Sequence, residues 1–344
     1  MKKVGIIGAT GYVGAELLRI LLNHKNVDVT ALSSVSFKGQ QINEIYKTFF
    51  NKTDLICETA DDVVAKADVI FTALPHGLSE DIAAKCIESG KICIDIGADF
   101  RLSDEKEYKE WYGKNFTKPE IHKLSVYGLP ELNREKIKNS KLIANPGCYP
   151  TSIELGLMPL IKNSLINTKG IIADSKSGAT GAGRKLTDSS HFCDLNENFA
   201  PYKVGVHRHT PEIEETLGYM ANDKVTVTFT PHLLPINRGI VSTIYCTPKS
   251  KINLAEIHKL YTETYKNEPF VNILPLGQTA CSRDVRFSNF CNISLHLNYR
   301  KDQIIVISTI DNMIKGAAGQ AIQNMNIILG FDETEGLNFI SPSF

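Results

Sequence analysis

The residues whose types and spacing best suit covalent chemistry lie in Asn145-Pro146-Gly147-Cys148-Tyr149-Pro150-Thr151. An apolar strand, Lys141 to Ala144, runs into this turn, and a helix is predicted to follow over Thr151 to Ile161. That stretch carries Ile153, Leu155, Leu157, Met158, Leu160 and Ile161 at helical spacing, and Pro150 suits a first helical turn, where its missing N–H costs nothing. Cys148 therefore stands at a helix N-terminus. The dipole end there favours a thiolate by about 0.3–1 kcal/mol, and the same backbone N–H groups suit an oxyanion. A small buried hydrophobe is the competing reading, because the chain has eight cysteines and most unpaired ones simply pack. A second cluster, His207-Arg208-His209-Thr210-Pro211-Glu212-Ile213, sits just before a predicted helix over Thr210 to Met220, with Thr210 as its cap. A neutral imidazole near a thiol can move protons, so either histidine is a candidate acid or base.

The elements that must position these groups begin at the N-terminus. Lys3 to Ile7 is a β-branched strand leading into Gly8-Ala9-Thr10-Gly11-Tyr12-Val13-Gly14 and then a helix with Val13, Leu17, Leu18, Leu21 and Leu22 on one face. Strand, glycine turn and helix in this order form the phosphate cradle of a dinucleotide fold, with Gly8, Thr10, Gly11, Tyr12, Val13 and Gly14 as cofactor contacts. The spacing is a G-x-x-G-x-x-G variant of the usual fingerprint. After the second strand, Asp28 to Ser33, an NAD-specific chain would place a carboxylate. Here Ser33, Ser34 and Lys38 occupy that region, which suits the 2′-phosphate of NADP; a solvated loop charge is the alternative reading of Lys38. Strands at Asp68 to Leu74 and Ile92 to Ile96 flank a helix at Ser79 to Glu88, an alternation that implies a parallel sheet. Arg101, in the loop after the last of these strands, either grips a phosphate or pairs with Asp99 or Asp104. The charged stretch Asp104 to Glu120 holds the only tryptophan, Trp111, which is expected to anchor an excursion between strands.

Beyond Cys148 the pattern changes. A strand at Gly170 to Ser177 opens into a second glycine-rich loop, Ser177 to Lys185, where Gly181 and Ala182 allow close approach to a cofactor or anion and Arg184 adds a cation. A plain flexible connection is the alternative. Lys224 to Ile236, Ile240 to Thr247, Ile293 to Tyr299 and Gln303 to Asp311 alternate as strands, with a helix at Asn253 to Asn267. A mixed or antiparallel sheet with helices on one face is expected. A last helix, Lys315 to Leu329, returns to the first domain. The division is thus 1–147 with 315–344, and 148–314. With 344 residues, 38 basic and 38 acidic side chains and no net charge, nothing points to nucleic acid or a membrane surface. The cysteine spacings hold no C-x-x-C pair, so no metal is expected, and with no apolar run of signal-peptide or bilayer length the chain reads as cytoplasmic.

With these motifs laid out, the chain resembles the N-acetyl-gamma-glutamyl-phosphate reductase family over nearly its whole length. Asn145 to Thr151, His207 to Ile213 and the ending Asp311 to Ala321 carry the resemblance most specifically. It implies an α/β architecture, with an N-terminal Rossmann-type parallel sheet and an α+β catalytic domain of the glyceraldehyde-phosphate dehydrogenase-like type. It also implies NADP as cofactor, with Asn312 among its contacts, a small acyl phosphate as substrate, and a homo-oligomer, dimer or tetramer. In the chemistry it implies, Cys148 attacks the acyl phosphate, phosphate leaves a thioester, and hydride from NADPH yields N-acetylglutamate semialdehyde. His209 is first choice for the proton relay and His207 second. Arg101, Arg184 and Arg208 are candidates for the substrate's phosphate or carboxylate. The rivals are a reductase of an aspartyl or aminoadipyl phosphate, and a nucleotide sensor whose cysteine is merely buried.

Overall fold

The computed structural model describes residues 1–344 apart from the side chain of Ser189. Its first unit, Met1–Pro146 with Ala317–Asn338, is built on β1 (Lys2–Ile7), β2 (Val27–Ser33), β3 (Cys57–Glu58), β4 (Val69–Thr72), β5 (Ile92–Asp95), β6 (Ser125–Tyr127) and β7 (Leu142–Ala144). The sheet order is β3-β2-β1-β4-β5-β7-β6 and each neighbouring pair is parallel. Its inner strands are apolar on both faces, as a sheet covered by helices on two sides requires. The chain moves outward from β1 to β2 and β3, then returns to the other side of β1 as β4. That reversal makes the carboxyl ends of β1 and β4 the switch point where such sheets bind ligands.

The second unit, Gly147–Gly316 with Phe339–Phe344, holds β8 (Ile171–Gly178), β9 (Ala200–Pro201), β10 (Val227–Leu234), β11 (Ile240–Cys246), β12 (Val271–Ile273), β13 (Cys291–Leu297) and β14 (Ile304–Ile310). Their order is β12-β13-β14-β11-β8-β10-β9, with β8–β10 and β12–β13 parallel and the other pairs antiparallel. The helix Cys148–Lys162 packs on β11 and β14, and the helix Thr210–Ala221 packs beside it. Along β8 and β11, residues facing these helices are buried, whereas Ile172, Asp174, Thr243 and Tyr245 on the opposite face are exposed or half-buried.

Several elements differ from their sequence-based expectation. The division falls at 146/147 and 316/317, and the tail Phe339–Phe344 belongs to the second unit, where Ser341 Oγ donates to Ser288 Oγ at 3.4 Å. The ending expected as one helix from Lys315 begins as a π-helical turn, Ile314–Ala318, before the helix Gly319–Leu329. Tyr108, fully buried and stacked on Tyr112 at 4.9 Å, anchors the excursion after β5, while Trp111 packs half-buried at its edge. Its phenol donates to Asp99, giving the buried hydroxyl a partner that an indole at the edge does not need.

Candidate functional site

Cys148 is the first residue of its helix, and Gly147 is the N-cap, with extended backbone and no side-chain capping bond. Cys148 is half-buried, between the fully buried Cys57, Cys86, Cys93, Cys246 and Cys291 and the exposed Cys193 and Cys281. Burial pushes the Cys246 thiol up to about 12, the fate of a cysteine that only packs. The turn around Cys148 is tightly specified. Thr151 donates both its N–H and its hydroxyl to Gly147 O at 2.9 Å, and Gly147 N–H donates to the buried carboxylate of Glu212 at 2.7 Å. Gly316, in the π-helical turn, lies against Cys148: a Cβ there would be 2.7 Å from Cys148 Cβ and 3.2 Å from its Cα. Glu212, three residues into its own helix after His209, thus ties the start of one helix to the start of the other.

The two histidines are brought together but are not equivalent. His209 N–H donates to His207 Nδ1 at 3.1 Å, which places the proton of neutral His207 on Nε2. The His207 ring is enclosed by Tyr149, Tyr202 and Phe229 at 5.3–5.7 Å between centroids and by His209 at 4.8 Å. Burial, with the charges of Lys203 and Arg208 adding to it, lowers its pKa to about 3. His207 is therefore neutral at physiological pH. His209 is half-buried and is itself the N-cap of the helix Thr210–Ala221, one residue before the cap expected from the sequence. Tyr149 faces both imidazoles, and Tyr202 OH donates to its hydroxyl at 3.2 Å. Burial, first of all, holds the Tyr202 phenol up at about 12 and raises that of Tyr149 further. These phenols remain donors throughout the working pH range.

In the first unit the glycine turn has the geometry of an anion cradle. Gly8 has φ +86°, and a Cβ on it would meet Ala73 O at 2.4 Å; one on Gly14 would meet Gly8 O at 2.3 Å. Only glycine fits either position. Gly11 caps the helix Tyr12–Leu21 without a side-chain bond, and no acidic residue lies in that first turn, so a phosphate meets backbone N–H groups and no competing carboxylate. Ser33 is buried and gives its carbonyl to the N–H groups of Gly8 and Ala9, while Ser34 Oγ and Thr10 Oγ1 share a 2.7 Å bond. Tyr12 and Lys38 are exposed, and Val13 is half-buried. This cradle fits a dinucleotide pyrophosphate, and Lys38 is the cation at hand beyond β2.

The remaining candidates separate by unit. Arg101, in the first, donates from Nε to Asn145 O at 2.9 Å and from Nη2 to Ile96 O at 2.8 Å, fastening the turn ahead of Cys148. Asp99 accepts from the N–H groups of Gly77, Leu78 and Ser79, and Asp104 caps the helix Glu105–Tyr112. In the second unit Arg208 is half-buried between the histidines, whereas Gly181, Ala182 and Arg184 lie in an exposed stretch. Asn312 is buried; its amide donates to Thr180 Oγ1 at 2.9 Å and its oxygen accepts from Gly239 N–H at 2.8 Å, so it shapes the second glycine-rich loop. Gly316 and Gly319 in the last predicted helix are small enough for close packing or ligand approach, and Gly316 does pack closely, against Cys148. The sequence gives no such reading for the roles of Glu212 and Asp311; a glutamate in the first turn after a histidine pair is the available signal for Glu212. Among the described residues no group of three side chains could hold a metal ion, and no helix is long and apolar enough to cross a membrane.

Fold and site together define a nicotinamide-nucleotide oxidoreductase of the semialdehyde dehydrogenase class. Residues 3–140 match the family described as semialdehyde dehydrogenase, NAD binding domain, and residues 148–312 the one described as semialdehyde dehydrogenase, dimerisation domain. The chain belongs to the N-acetyl-gamma-glutamyl-phosphate reductase family. Proteins of that name from Clostridium beijerinckii and Clostridium botulinum are 75% and 72% identical to it over 344 residues, the full length of both chains in each case. Among solved structures, aspartate semialdehyde dehydrogenase II from Vibrio cholerae shares the fold with a TM-score of 0.74, covering 96% of this chain and 98% of that one at 18% identity.

Proposed function

We propose that the chain reduces N-acetyl-L-glutamyl 5-phosphate to N-acetyl-L-glutamate 5-semialdehyde and phosphate, a step of arginine biosynthesis in the cytoplasm. The observation that carries this reading is Cys148 half-buried at a helix start, in a chain whose full-length relatives bear that reductase's name.

The Cys148 thiolate attacks the acyl carbon, the carbon–oxygen bond to phosphate breaks, and phosphate leaves with the electron pair, giving a thioester on Cys148. N–H groups of the helix's first turn stabilise the oxyanion. NADPH, held at Gly8, Thr10, Gly11, Tyr12, Val13 and Gly14 with Ser33, Ser34 and Lys38 towards its 2′-phosphate, supplies a hydride when bound. His209 gives a proton to the oxyanion that hydride addition leaves and takes it back from the thiohemiacetal hydroxyl as the carbon–sulfur bond breaks and the thiolate departs. His207 orients it by accepting its backbone N–H and by packing edge to face against its ring. Arg101, Arg208 and Arg184 are assigned to the substrate's anionic groups, and Gly181, Ala182 and Asn312 to the cofactor. A homo-oligomer, dimer or tetramer, accords with the match of residues 148–312 to a dimerisation domain.

The test is the reverse reaction with purified protein, following NADP reduction with N-acetylglutamate semialdehyde, with and without phosphate. Phosphate-dependent turnover selective for that aldehyde supports the reading. Turnover of aspartate semialdehyde alone keeps the mechanism and overturns the substrate.

A further inference from the structure

We propose that the second unit carries a carboxylate-binding pocket built by Arg286 and Arg238, which nothing in the mechanism above uses. The cavity is about 360 Å³ and is lined by both arginines together with Phe192, Leu195, Ile236 and Phe287. That volume suits a small metabolite with an aliphatic body.

The two cations differ in how far they are compensated. Arg238 lies 3.7 Å from Asp311 Oδ2 and its guanidinium stands 4.9 Å over the Phe287 ring. Arg286 Nε is buried and has no hydrogen-bond partner among the described residues. A guanidinium nitrogen removed from water without an acceptor is costly, and a ligand carboxylate would supply two acceptor oxygens in the geometry of the fork. Phe287 is held at φ +59°, a left-handed conformation that a bulky side chain avoids, by donating its N–H to Asp311 Oδ2 at 2.7 Å. Phe287 is 42% exposed and forms a wall of the cavity. Strain, an exposed aromatic residue and a buried guanidinium nitrogen without an acceptor thus converge at one place.

Asp311 links this pocket to the nucleophile. Its Oδ1 accepts from Met313 and Ile314 N–H, and its backbone oxygen accepts from Gly316 N–H at 2.9 Å. Gly316 is the residue that abuts Cys148. The carboxylate comes either from the substrate itself, where it would select for the α-carboxylate of an N-acylated amino acid, or from a free dicarboxylate. The first source rests on the function proposed above.

The experiment uses the full-length protein, wild type, Arg286→Met and Arg286→Lys, each checked for unchanged melting temperature. Two readouts are taken: KM and kcat in the reverse reaction for N-acetylglutamate semialdehyde and for 4-acetamidobutanal, which lacks the carboxylate, and the Kd of glutarate by calorimetry. Arg286→Met is expected to raise KM for the first aldehyde by about 10–100-fold, the worth of one charge-assisted bond, and to leave KM for the second in place. Arg286→Lys should fall between, because it keeps the charge and loses the fork. If KM holds and glutarate affinity falls at least tenfold, the pocket takes a free dicarboxylate. If neither readout moves, there is no carboxylate site and the proposal is overturned. Should the wild type turn over neither aldehyde, the proposed function fails while the glutarate titration still decides the pocket.

Discussion

Burial acts on thiols and imidazoles in opposite chemical directions, and the site exploits both. It pushes Cys246 to about 12 and drops His207 to about 3, in each case by disfavouring the charged form. Cys148 keeps partial exposure at a helix start, where the same penalty is smaller and the dipole opposes it. Cys148→Ser is expected to lower kcat by at least about a thousandfold with NADPH affinity retained, checked by turnover and by fluorescence titration of NADPH. Normal turnover would sink the thioester route. The histidines make a paired prediction. His207 stays neutral from pH 5 to 9, so His207→Gln should lower kcat and leave the shape of the pH–rate profile intact, whereas His209→Gln should lower kcat by about a hundredfold or more. For folding the sign is fixed by the depressed value. The unfolded chain binds more protons at His207 between its ordinary pKa and about 3, so this residue's contribution to stability is present above that window and is lost as pH falls through it.

Single elements show what a sequence can and cannot reveal. The glycine turn was legible because Gly8, Gly11 and Gly14 satisfy local rules, a positive φ and close backbone approach, that leave a spacing behind. Cys148 and the histidine pair were legible because proline and the apolar period mark the helix starts beside them. The partners of those residues were not. Glu212 reaches across 65 positions to Gly147, and Gly316 meets Cys148 only through the folded chain. Strands of two or three residues, β3 and β6, carry too few side chains to show a period. Long-range packing also sets the next two expectations. Gly316→Ala should slow alkylation of Cys148 and lower kcat by about tenfold or more, because the methyl must displace the nucleophile; unchanged alkylation with weakened NADPH binding would instead assign that glycine to the cofactor. Asp95, at the end of β5, is fully buried beside the charge of Asp99, and its pKa rises to about 6 against the pull of Thr72, Ser79 and Arg101. The folded chain therefore binds more protons there, and stability falls as pH rises from about 4 to 6. Asp95→Asn keeps an acceptor for Thr72 and Ser79, and should raise stability above pH 6 by roughly 2–3 kcal/mol, measured by urea unfolding at pH 4 and 7.5.

At the scale of the whole molecule, a face of the second sheet carries side chains that suit a second copy of the chain. On the second sheet, Ile172, Asp174, Thr230, His232, Tyr245 and Gln303 line an open depression on the face opposite the helix Cys148–Lys162. Ile172 is 42% exposed in the middle of a seven-stranded sheet, a position where a β-branched apolar residue is normally covered. The face is also self-complementary in charge, since Asp174 lies 2.6 Å from Lys176 and 3.2 Å from His232 and presents both signs within one patch. A two-fold axis through such a patch satisfies it with itself, the usual solution for a homodimer. Ile172→Arg combined with Tyr245→Glu is expected to convert the dominant species in sedimentation velocity to one of half the mass or less, at a melting temperature set by the separate chain. An unchanged sedimentation coefficient for that double variant would remove this face from the assembly and leave the exposed stretch around Leu186, Phe192 and Phe199 as the surface to test next.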